Sequence, residues 1–290
     1  MVKIQKNRER AEYTFANINL LGKCNADCYF CLGKDIPELL NRHDQRRTHF
    51  FKWKNFAAFI DKCEDMGIKK LYVTGQNTDA LCYDYLDELV DYLQDRGFVM
   101  GIRTNGYLIE KKMETVRKLK GGIGLSIHSL NPETNKKIMG RSDIPNWERL
   151  IPAMKSPTNH IRVATVINRY NIDEVMDVIR YVSGFDEVSY IQARRISTDT
   201  RVPELIQDVE IYEKMYQEVI SKFGIYDTFY GAQRVNMFGK EVCWWRTVET
   251  SSNSLNYFTD GTISDNYFVV EGYMNNYQKG VVNPSKKVII

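Results

Sequence analysis

Short β-branched or aromatic runs alternate with amphipathic stretches along most of this chain. That alternation confines it to βα units and a parallel sheet. Strands are predicted over Tyr13 to Leu20, Lys70 to Thr74, Val99 to Thr104, Ile123 to His128, Ile161 to Ile167 and Glu187 to Gln192. Helices are predicted over Phe51 to Met66, Tyr83 to Arg96, Lys111 to Lys118, Ile172 to Val182 and Val209 to Phe223. In the fourth helix Val175, Val178, Ile179 and Val182 recur at helical spacing. Six βα units without a closing pair give an α/β fold, a partial (βα)6 TIM-like barrel, with active residues where strands run into the following loops. The rhythm stops after Gly224, where SLNYFTDGTISDNYFV reads as a hairpin turning at Asp260-Gly261. The expected organisation is an N-terminal extension over 1–12, the barrel over 13–224 and a small C-terminal α+β cap over 225–290.

A chain of 290 residues can bury one sizeable core, and no apolar run approaches the length of a membrane span. The charged start, MVKIQKNRERAEY, has no signal-peptide core, so a soluble cytoplasmic protein is expected, away from membranes and with its six cysteines reduced. Forty basic residues against 37 acidic ones give a net charge of +3, too even to indicate nucleic-acid binding by itself.

Residues 24 to 31 read CNADCYFC, which sets Cys24, Cys28 and Cys31 in a C-x3-C-x2-C loop just after an apolar run. Thiolates are the usual ligands of iron-sulfur clusters, and three of them on a four-iron cluster leave one iron open. The alternatives are three structural cysteines or a zinc site, which would need a fourth ligand. His43 and His49, the nearest histidines, lie in the charged stretch NRHDQRRTHF without ligand-like pairing.

The loop resembles the signature of radical S-adenosylmethionine (SAM) enzymes, and Phe30 supplies the aromatic residue that usually precedes the third cysteine. The resemblance implies one 4Fe-4S cluster, SAM bound through its amino nitrogen and carboxylate to the open iron, and an external flavodoxin- or ferredoxin-like electron donor. VTGQNTD, Val73 to Asp79, stands where such enzymes carry a GGEP-like turn, which implies SAM contacts at Gly75, Gln76 and Asn77, although only Gly75 keeps the pattern. GLSIHSLNPETNKKIMGR, residues 124 to 141, is similar to a stretch of the radical cyclase family of molybdenum-cofactor biosynthesis. It implies that Ser126 and Arg141 contact SAM; Asn131 and Pro132 also read as a helix N-cap and N1. Further matches, TNG at Thr104, IRVATVIN at Ile161 and YIQARR at Tyr190, imply that Thr104 and Arg162 face substrate and Arg194 faces SAM. Asn17 and Tyr72 replace two arginines of the cyclase, and the C-terminal region has one cysteine where the cyclase has three, so molybdenum-cofactor synthesis is not expected.

Arg103, Arg162, Arg194 and Arg195 would bring planar guanidinium groups to one barrel mouth, which suits an anionic substrate. In CWWR, Cys243 to Arg246, Trp244 can stack on a base or cap the barrel, and Cys243 is a candidate hydrogen-atom donor. The expected activity is hydrogen abstraction from an anionic substrate, first a nucleotide or nucleic-acid base. The alternatives are a peptide-modifying or glycyl-radical-activating relative, and a metal-binding interaction protein without catalysis.

Overall fold

The computed structural model describes residues 14–198, 200–229, 232–246 and 254–265. The strands are β1 (Phe15–Leu21), β2 (Lys70–Gln76), β3 (Val99–Thr104), β4 (Gly122–Ser126), β5 (His160–Val166), β6 (Val188–Arg194), β7 (Asp227–Phe229), β8 (Ala232–Met237), β9 (Lys240–Trp245), β10 (Ser254–Phe258) and β11 (Ile263–Ser264). The helices are α1 (Pro37–Arg42), α2 (Phe56–Asp65), α3 (Leu86–Asp95), α4 (Met113–Lys118), α5 (Pro132–Met139), α6 (Trp147–Met154), α7 (Val175–Ser183) and α8 (Val202–Phe223). All strands belong to one sheet in the order β11-β10-β1-β2-β3-β4-β5-β6-β9-β8-β7.

Each strand from β1 to β6 pairs in parallel with the next. The α/β fold of the partial-barrel kind is therefore present. Strand alternation divides its side chains between two faces. Ile18, Leu71, Val73, Met100, Ile102, Ile123, Leu125, Ile161, Val163 and Ile191 face the helices and are buried in one hydrophobic core with Phe59, Leu89, Ile151 and Ile179. The opposite face carries Asn17, Arg103, Arg162 and Gln192, which bond to one another in pairs across the strands. The barrel interior is polar because its apolar positions have gone to the helices.

β3 has the expected limits, and β6 starts one residue later than expected and runs on to Arg194. α2 and α3 are shorter than expected because 3-10 turns at Phe50–Lys52 and Ala80–Cys82 precede them. The turn at Ala80 starts at Asp79, whose carboxylate accepts the Leu81 N–H and so draws the chain away from a regular helix. α6 was not anticipated, whereas α5 starts where Asn131 and Pro132 indicate a helix, with Asn131 accepting the N–H groups of Glu133 and Thr134.

The main difference lies after Gly224. The hairpin exists, with Asn256 opposite Ser264 and Tyr257 opposite Ile263. Its first strand, β10, also lies parallel to β1, and β9 lies parallel to β6. The described part of 225–290 thus extends both flanks of the barrel sheet instead of standing apart as a cap. Hydrogen-bonding capacity on the outer edges of β1 and β6 gives the reason: unpaired strand edges need partners.

Candidate active site

β1 leads into the cysteine loop, and backbone bonds fix that loop to the C-terminal end of α5. The Asp27 N–H donates to the Met139 carbonyl at 2.7 Å and the Tyr29 N–H to the Ile138 carbonyl at 3.1 Å. These are carbonyls that a helix end leaves without intrahelical partners. Gly140, with φ 70, closes α5 against the loop; a Cβ there would lie 2.8 Å from the Asp27 Cβ. Two arginines clamp the loop carbonyls. Arg141 donates to the Asn25 carbonyl at 2.8 Å, while Arg201 donates to the carbonyls of Tyr29 and Cys31, both at 2.7 Å. Arg141 also forks onto Asp143 and lies 4.2 Å from the Tyr107 ring centroid. Tyr29 is held further by its hydroxyl, which donates to the buried Asp208 at 3.0 Å.

The three thiols are half-buried and none is in a disulfide. Burial pushes the Cys24 thiol up to about 12, helped by the Asp79 carboxylate, and raises Cys28 and Cys31 as well. Each buried thiol keeps its proton until a metal takes the proton's place. The surroundings suit that exchange. Backbone N–H groups of Gly33 and Asn77 reach the Cys31 sulfur, and Asn105 Nδ2 lies 3.6 Å from the Cys24 sulfur. Asn25 Nδ2 is buried without a partner among the described residues. Thiolates ringed by N–H donors, with one donor left over, fit an iron-sulfur cluster, whose sulfur atoms accept such bonds. No three His, Cys, Asp or Glu side chains among the described residues converge as a single metal ion requires. A four-iron cluster makes no such demand, since it takes each cysteine at a different iron.

The turn after β2 sits against the loop. Thr78 Oγ1 donates to the Lys23 carbonyl at 3.1 Å, and a Cβ on Gly33 would lie 2.3 Å from the Asn77 nitrogen. A Cβ on Gly75 would lie 1.9 Å from the Thr78 carbonyl oxygen, so only glycine permits this turn. Asn77 holds φ 58 and Gln76 is buried, donating to Asn19 Oδ1 at 3.3 Å. Ser126 ends β4 on the inward face and is half-buried. Phe30 packs edge-on to His128 with ring centroids 5.1 Å apart, which fixes the loop to the strand that carries Ser126. Burial and the nearby Arg194 lower His128 to about 3, so its ring is neutral and its Nδ1 accepts the Val166 N–H.

Strand phase decides which of the expected substrate residues reach the interior. Arg162 donates to Gln192 Oε1 at 2.7 Å, and Arg103 donates to Asn17 Oδ1 at 2.8 Å while lying over Tyr72. Arg194 follows Gln192 on the same face. Three expected residues point the other way. Thr104 is buried and its hydroxyl donates to Asp79 Oδ1 at 2.9 Å. Arg195 pairs at 2.7 Å with Glu213 of α8. Trp244 is fully buried against Tyr212 and Tyr216 of the same helix. Each is adjacent in sequence to an inward residue, Arg103, Arg194 or Trp245, and alternation sends it to the helix side. Cys243 lies beside Gln192 in the register, fully buried, with its sulfur 3.5 Å from Glu241 Oε1 and its thiol pushed up to about 12 by burial and that carboxylate.

Asp79, Asn105, Tyr107 and Arg201 were missing from the expected site. Asp79 and Asn105 stand inside the VTGQNTD and TNG motifs and could have been found there. Arg201 is 170 positions from Cys31, and no local signal joins them.

Residues 18–182 match the Radical SAM superfamily. The GTP 3',8-cyclase of Aquifex aeolicus is 27% identical over 175 residues, 57% of this chain and 51% of that protein. The S-adenosylmethionine-dependent nucleotide dehydratase of Thermoplasmatales archaeon (strain ISO4-H5) is 25% identical over 150 residues, 51% of this chain and 50% of that protein. The chain spans about half the length of these curated relatives. In fold it is similar to SuiB of Streptococcus suis, with a TM-score of 0.61 and 12% identity over 94% of this chain and 63% of that one. The cysteine loop, the parallel barrel sheet and a match across more than half the chain lead to one assignment: this protein belongs to the radical SAM superfamily.

Proposed function

We propose that this protein is a radical SAM enzyme whose substrate is an anionic nucleotide or a small molecule bearing a nucleobase. When bound, a single 4Fe-4S cluster and SAM supply, after one-electron reduction, a 5'-deoxyadenosyl radical able to abstract hydrogen from carbon. Cys24, Cys28 and Cys31 hold three irons. The backbone of the Gly75–Asn77 turn and the Ser126 hydroxyl orient SAM, with Arg194 on its anionic side. Arg141 serves this site through the loop carbonyl it clamps. A flavodoxin- or ferredoxin-like donor delivers the electron in a cytoplasmic setting.

One observation carries the substrate reading: Arg103, Arg162 and Arg194 lie on the inward face of β3, β5 and β6, beside the half-buried rings of Tyr72, Tyr190 and Trp245. Guanidinium groups match phosphate oxygens with paired donors, and flat rings accept a base by stacking. The relatives named for nucleotide substrates agree with this reading. Anaerobic incubation with SAM, dithionite and a nucleoside triphosphate panel, followed by mass spectrometry, tests it. A mass change in one nucleotide supports the reading. Turnover confined to a peptide pool, with every nucleotide unchanged, refutes it.

A further inference from the structure

We propose that Asn105 and Asn25 form a side-chain amide pair that sets the reduction potential of the cluster beside Cys24. This rests on the reading of the cysteine loop as a cluster site. Asn105 is a positioning residue here.

Asn105 is 8% exposed and fixed on several sides. Its backbone N–H donates to Asp79 Oδ2 at 2.7 Å, and its Oδ1 accepts the Tyr107 N–H at 3.2 Å. Asp79 is itself held in place, because its other oxygen accepts the Leu81 N–H and the Thr104 hydroxyl, both at 2.9 Å. The Asn105 amide therefore has one orientation. Its Nδ2 donates to Asn25 Oδ1 at 2.8 Å and lies 3.6 Å from the Cys24 sulfur. That bond also orients the second amide. Asn25 Oδ1 is the acceptor, so Nδ2 is the group left without a partner among the described residues. One amide N–H thus stands beside the Cys24 sulfur, and the Asn25 carboxamide, whose Oδ1 lies 3.5 Å from that sulfur, fixes its direction.

Reduction adds one electron to the cluster and makes its sulfur atoms more negative. An N–H donor stabilises the reduced form more than the oxidised form and so raises the potential. If Asn105 only braced the loop, replacing it would alter stability or iron loading but leave the potential alone.

The test is a potentiometric titration of the anaerobically reconstituted full chain, followed by the electron paramagnetic resonance signal of the reduced cluster. Asn105→Ala should lower the midpoint, changing the reduced-to-oxidised ratio at fixed potential at least threefold, about 30 mV at 59 mV per decade. Asn105→Asp, which replaces the donor by an anion of the same shape, should lower it further. Midpoints equal to the unmodified protein in cluster-loaded variants would overturn the proposal while leaving the cluster reading intact. If Asn105→Ala holds no cluster, Asn105→Asp, which keeps the shape of the side chain, decides. An unmodified protein that stays colourless after reconstitution overturns both.

Discussion

Arg194 and Arg195 differ by one position and serve opposite sides of the sheet. The sequence places both in the YIQARR strand, but the phase of that strand depends on Ile191 and Ala193 reaching the helices, and a guanidinium carries no mark of its side. Thr104 and Trp244 missed the interior for the same reason. The gathering of Cys24, Cys28 and Cys31 in one loop was legible because their spacing is local, and the inward placement of Ser126 and Arg162 because the strand pattern gives that face. Changing Arg162 to Ala should spare substrate-free SAM cleavage and abolish most product, as read by 5'-deoxyadenosine and product yields; equal loss of both would place Arg162 at SAM instead. Ser126→Ala should weaken SAM binding by about 1.5 to 3 kcal/mol, roughly ten- to a hundredfold, in a direct titration. Unchanged affinity removes Ser126 from the site. His128 has a folded-state value of about 3, below the unfolded value of 6.5, so the unfolded chain takes up the proton first as pH falls. Its contribution is complete above about pH 6.5 and is lost toward pH 3 at up to about 1.4 kcal/mol per pH unit. His128→Asn should show a shallower loss of urea stability between pH 6.5 and 4.5, and identical slopes would count against this account.

At the scale of elements, the cysteine loop depends on the last turn of α5. The Asn131 cap and Pro132 start that helix and are plain in the sequence, yet its far end matters more, since Met139, Gly140 and Arg141 hold the loop. Gly140→Val would add a branched side chain at φ 70, where the nearest atom is the Asp27 Cβ. A β-branched residue is strained there, by roughly 1 kcal/mol or more, and its bulk pushes on the loop. Iron content after reconstitution should fall well below that of Gly67→Val, which also has positive φ but open space around it. Equal iron content in the two variants would show that α5 does not govern the loop. β9 and β10 were illegible as barrel strands because neither pattern nor turn chemistry names a parallel partner more than 40 residues away; only the edges of β6 and β1 do.

Across the whole molecule, the sheet includes the described part of 225–290, which changes what a truncation should do. Removing everything after Gly224 would expose the outer edges of β1 and β6 and take Leu255, Tyr257 and Trp244 out of the core, uncovering Phe59 and Tyr212 that pack against the two rings. The truncated chain should aggregate or melt far below the full chain in a thermal scan, whatever its iron content. A truncated protein as stable as the full chain, cleaving SAM without product, would return the segment to the role of a detachable lid. The Asn17 amide meets Asn256 across 239 positions of sequence, between the first strand made and one of the last. During synthesis at about 5 to 20 residues per second, that interval leaves β1 with a bare edge and the cysteine loop beside it for roughly 12 to 48 s. The ribosome thus releases Cys24, Cys28 and Cys31 before the wall beside them exists, and iron loaded early would have that window in which to enter.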